Sequence, residues 1–137
     1  MIYGIVCYIL SLVMVLVFGL IYIFRTSFMP YHREAVQRQW HEIDNRMQQL
    51  LLALMNALGM AWLSSFFFSL FLLIILLTGP AIVWPLATFQ AFYLFSVIAP
   101  VFVAIRLQMK TGAKTPVSVG IIAAALSLVG FICILLS

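Results

Sequence analysis

The sequence is short of charge. Only 7% of its 137 residues are Asp, Glu, Lys or Arg, and three of those are acids, where a soluble domain carries roughly a quarter. With 66% apolar residues and a mean hydropathy of +1.25, a water-soluble domain is excluded. A bilayer core takes about 20 apolar residues per helix, so the chain has room for four spans and little else: one membrane domain over 1–137. The apolar runs contain no Asp, Glu, Lys, Arg or His. Pumps and proton-coupled transporters need an ionisable group within the membrane, so a small exporter with a buried carboxylate is disfavoured. The two cysteines, Cys7 and Cys133, fit no CxxC spacing. No Ser/His/Asp set, glycine-rich phosphate loop or paired intramembrane acids can be assembled, and no cofactor is expected. The first apolar run has no basic leader or small-residue cleavage site, so it is expected to persist as a helix.

What charge there is gathers in a polar island, residues 25–49, which holds four of the seven basic residues, all three acids and both histidines. The expected fold is an all-α membrane protein, four transmembrane helices in an up-down bundle plus one amphipathic interfacial helix. The first span covers about 2–24, with Gly4, Cys7, Ser11 and Gly19 as small positions. Pro30 is suited to open the interfacial helix, about 30–43. Val36, Trp40, Ile43 and Met47 recur there at helical spacing, and Glu34–Arg38 and Glu42–Arg46 have the i,i+4 order that stabilises helices. Asp44-Asn45 marks a break, and Asn45 with Gln48 has capping-box spacing.

The second span, about 46–77, is longer than a bilayer needs. Its row Ala53, Ala57, Ala61, Ser65 and Ser69 reads as a packing seam, since small side chains let helices approach closely in lipid. Gly79 and Pro80 mark its end. The third span, about 85–109, contains Pro100, which removes a hydrogen bond to the Ser96 carbonyl. Gly112 ends it, and Thr115-Pro116 reads as an N-cap followed by a proline at the first position of the fourth span, about 116–136. That span offers Gly120, Ala124, Ser127 and Gly130 as small positions. Asn56 and Gln90 are the only intramembrane amides, each expected to bond a neighbouring hydroxyl or carbonyl.

All seven Lys and Arg fall in or beside the first and third connections: Arg25, Arg33, Arg38, Arg46, Arg106, Lys110 and Lys114. The positive-inside rule then puts connections 25–46 and 106–116 in the cytoplasm and both termini outside, in a cell (inner) membrane. Arg25, Arg33, Arg106, Lys110 and Lys114 suit lipid phosphates. His32, His41, Glu34, Glu42 and Asp44 have metal-ligating side chains, with solvated interfacial histidines as the alternative. Cys7 and Cys133 fall at similar outer levels of adjacent helices, so a disulfide is one reading and two small packed residues the other.

The segment Pro30-Tyr31-His32, then Trp40, then Gln48-Gln49, followed later by a KTGAKTP stretch before the last apolar helix, resembles a family of small bacterial four-helix membrane proteins. The resemblance covers essentially the whole chain and implies architecture but no activity; Asp44-Asn45 stands where that family often has a proline. The reading that follows is a non-catalytic multi-pass protein, an accessory subunit of a larger membrane complex or a homo-oligomer. Its partners would be the lipid bilayer and other membrane subunits or copies of itself, with no nucleic acid. A metal-binding or enzymatic surface site and a small-solute channel are the alternatives.

Overall fold

The computed structural model describes residues 1–79 and 83–137, so Pro80 lies outside the described residues. The described chain is helical, without strands. Four helices are long and apolar enough to cross a membrane: α1 (Ile2–Phe24), α3 (Asn45–Thr78), α4 (Val83–Thr111) and α5 (Val117–Leu135), while α2 (Pro30–Val36) is short. α1 packs on both α3 and α5, and α5 on α4. α3 and α4 hardly touch. The bundle is thus a ring with one loose seam, between α3 and α4.

Two glycine crossings set the up-down order. Gly4 meets Gly130 where α1 crosses α5, and Gly19 meets Gly59 where α1 crosses α3. Without a hydrophobic effect between helices in lipid, such backbone approach is what dispersion rewards. α1 carries its buried residues Gly4, Tyr8, Ser11, Val15, Gly19 and Tyr22 in steps of four and three, with Leu12 beside them, a spacing that keeps one stripe facing its neighbours.

On α3 steps of four and three alternate through Met55, Gly59, Trp62, Phe66, Ser69 and Leu73. The expected seam is therefore displaced. Ala53, Ala57 and Ala61 are exposed, Ser65 is half-buried, and only Ser69 is in the core. A strict four-residue step advances about 40° beyond a full turn each time, so a row of five swings by about 160° and cannot stay on one face.

The half of the bundle holding the chain's apolar termini is occupied by two buried chains of hydrogen bonds. Tyr8 donates to Gln90 Oε1 (2.5 Å), and the Gln90 amide donates to Ser127 Oγ (3.1 Å). Ser11 donates to the Ala123 carbonyl (2.6 Å), so the Tyr93 hydroxyl donates to Ser11 Oγ (2.7 Å). Gln90 thus finds hydroxyl partners on two neighbouring helices. Asn56, by contrast, is exposed on α3.

Candidate functional site: an apolar cavity behind an aromatic cap

The other half of the bundle, toward the basic connections, is not filled. A cavity of about 500 Å³ lies there, lined from all four long helices by residues that include Val15 and Phe18, Leu58 and Trp62, Val97, Pro100, Val103 and Leu107, and Val117 and Ala123. That volume is in the range of small-molecule sites. Sequence causes it locally. Pro100 leaves the Ser96 carbonyl without its helical donor, and Ala99, Ala104 and Gly120 put little bulk on the facing walls. Leu58 on α3 and Val103 on α4 both line the cavity and are 41% and 66% exposed. The cavity therefore opens sideways through the α3–α4 seam, onto the surface that a bilayer covers.

Its end toward the basic connections is closed by α2. Tyr31 and His32 line the cavity together with Tyr22 of α1, and the Tyr22 and Tyr31 hydroxyls are hydrogen-bonded to each other. The His32 ring packs edge-on against Tyr31 (4.3 Å between centroids), Phe28 (6.2 Å) and Tyr22 (6.4 Å). Phe28 in turn packs against Trp40 at 4.8 Å. Loss of hydration by burial lowers the His32 pKa, which favours the neutral imidazole. Burial, then the bond to Tyr22, raises that of the Tyr31 phenol. The cap is aromatic and uncharged.

Backbone devices hold α2 in place. The expected amphipathic helix 30–43 stops at Val36, because Gln37 takes a left-handed conformation (φ 55°) and donates its N–H to the Arg33 carbonyl (2.9 Å). This turn brings Trp40 onto Phe28. It also ends the helix between Glu34 and Arg38, so that expected ion pair has no helix to hold it. Glu34 instead accepts the Lys114 backbone N–H (2.8 Å), tying α2 to the α4–α5 connection. Glu42 accepts the Gln39 N–H (2.9 Å) within a 3₁₀ turn, Trp40–Glu42. Asp44, not Asn45, caps α3, accepting from Met47 N at 3.1 Å. Gln48 reaches back to the carbonyls of Trp40 and Ile43 (2.8 and 2.9 Å). Thr115 does not cap α5, whose N-cap is Pro116; its hydroxyl crosses to the Ala104 carbonyl (3.2 Å) or to Gln108 (3.1 Å).

The metal-ligating set is dispersed. Among the described residues no three His, Cys, Asp or Glu side chains converge, and His32, His41, Glu34, Glu42 and Asp44 are not brought together. His32 belongs to the cap, and His41 is exposed on the 3₁₀ turn. Cys7 and Cys133 are free thiols and form no disulfide. Arg25, Arg33, Arg106, Lys110 and Lys114 are all exposed at the capped end, with Arg106 stacked 4.6 Å over Phe102. None of them lines the cavity.

Tyr31 and His32 stand out in the sequence, whereas no motif marks Tyr22 or Trp62 as site residues. Trp62 forms cavity wall, and its Nε1–H is buried without a partner, as is Ser69 Oγ. An orphaned buried donor costs about 1–3 kcal/mol. Comparison with protein families, curated proteins and solved structures finds no match to this chain.

Proposed function

We propose that this chain is a non-catalytic multi-pass protein of the cell (inner) membrane that works by holding an apolar membrane molecule in the cavity between α3 and α4. The observation that carries this reading is the side opening: an apolar space of about 500 Å³ whose mouth residues, Leu58 and Val103, face where lipid chains lie. The filled Tyr8–Gln90–Ser127 layer closes the far side, which supports holding over conduction. By the positive-inside rule the capped end is cytoplasmic and both termini are outside. The resemblance to small bacterial four-helix membrane proteins agrees with this placement.

A second reading, as an accessory subunit of a larger complex or as a homo-oligomer, is favoured by the outward row Ala53, Ala57 and Ala61, small residues left exposed among the described residues. One experiment serves both: a native mass of the protein extracted from its own membrane in mild detergent. Retention of one lipid-sized adduct, lost in Ala104→Phe, is expected. Foreign subunits in the particle would establish the second reading. A bare protomer whose mass behaviour Ala104→Phe leaves unchanged would contradict the first.

A further inference from the structure

The cavity's polar edge says what kind of head its occupant carries, an inference that rests on the lipid-holding reading. The polar side chains on its lining are Tyr22, Tyr31, His32, Trp62, whose indole N–H is unpartnered, and Thr115, without a single Arg, Lys, Asp or Glu. Hydrogen accounting separates them. Thr115 has one hydroxyl hydrogen, spent on Ala104 or Gln108. Tyr22 and Tyr31 together have two, and their mutual bond uses one. The other phenolic hydrogen has no acceptor among the described residues, and neither His32 ring nitrogen makes a hydrogen bond there. An apolar chamber therefore ends in unspent hydrogen-bonding capacity.

Two kinds of lipid head respond to this in opposite ways. A phosphate drawn up to the cap would lose hydration with no cation on the lining to replace it, since Arg106, Lys110 and Lys114 lie outside, and burying an unpaired charge is costly. A hydroxyl or carbonyl loses little hydration and accepts the spare phenolic O–H. We infer that the cavity selects a lipid with an uncharged, hydroxyl- or carbonyl-bearing head over an anionic phospholipid. The chain enters sideways between Leu58 and Val103, and the head stops at the Tyr22–Tyr31–His32 cap.

The test uses the full chain in phosphatidylcholine nanodiscs, with Trp40→Phe and Trp84→Phe so that Trp62 reports alone. Dioleoylglycerol with brominated chains is compared with equally brominated phosphatidylglycerol as a quencher of Trp62 emission. The diacylglycerol should quench at a mole fraction about tenfold lower. Replacing both phenols, Tyr22→Phe with Tyr31→Phe, keeps the rings and should shrink that preference about fivefold, the order of one neutral hydrogen bond. Ala104→Phe should remove the excess quenching by either lipid. Equal quenching by both, a preference for phosphatidylglycerol, or a preference the double Phe variant does not move would each overturn the inference while leaving the cavity reading intact. Quenching no greater than random bilayer contact, and indifferent to Ala104→Phe, would remove the cavity reading itself.

Discussion

Gly19 of α1 and Gly59 of α3 lie back to back, so close that a Cβ on Gly59 would stand 2.9 Å from the Gly19 carbonyl oxygen and 3.1 Å from the backbone nitrogen of Ile23. Backbone cannot rotate away as a side chain can, so a larger residue there must push the helices apart. Gly59→Leu should cost about 2 kcal/mol, within the range of overpacked cores, and lower the thermal midpoint in detergent by several degrees. Ala57→Leu, on the exposed face one residue-pair away, should stay within about 0.5 kcal/mol. Equal effects would mean that α3 packs through its alanine row after all.

The position of Gly59 also shows where the sequence was legible and where it was not. Length and hydropathy place the four long helices to within about two residues at each described end, and of the small positions, Gly4, Ser11, Gly19, Ser127 and Gly130 are buried while Cys7, Gly120 and Ala124 are half-buried. On α3 two small-residue patterns compete, and only the alternating step keeps a constant face. The cap was harder to read. Trp40 and Val36 keep helical spacing, but the chain turns at Gln37 because the Phe28–Trp40 contact and the Gln48 bonds to Trp40 and Ile43 outweigh a continued helix. The cavity is not written in any motif, since it arises from where four helices fail to meet.

Tyr8, Gln90 and Ser127 form a chain of bonds within the membrane layer. Tyr8→Phe and Gln90→Leu should each cost about 1 kcal/mol, the scale of interhelical hydrogen bonds in lipid. The double variant should cost less than the sum, because each single change strands a partner. A double-mutant cycle on thermal or denaturant unfolding reads this directly, and strict additivity would show that the residues act separately.

His32 gives the cap a pH response of definite sign. Burial lowers its pKa in the folded protein, so the unfolded chain binds a proton more readily. Its contribution to stability is fully present above the ordinary histidine value near 6.5 and is lost as pH falls through the lowered folded value. Protease nicking between residues 30 and 44 should therefore rise as pH falls from about 7 to 5, and His32→Gln should flatten the profile. An unchanged profile in His32→Gln would assign the response elsewhere.

Cys7 and Cys133 are free thiols. Alkylation of unreduced, denatured protein should label both, and a mass short by two labels that reductant restores would reveal a pairing in the membrane.

The claim that a membrane molecule occupies the interior of the bundle is tested most directly by growing cells on a photoreactive diazirine fatty acid, irradiating, and mapping adducts on the purified chain. Annular lipid reaches outward residues such as Phe71, Phe95 and Ile121, which are exposed. An acyl chain in the cavity also reaches Val15, Trp62 and Ala123, which are buried within the protomer and line that space. Adducts on this inner set, depleted by Ala104→Phe while the outer set persists, are the predicted result. Adducts confined to the outer set would contradict it.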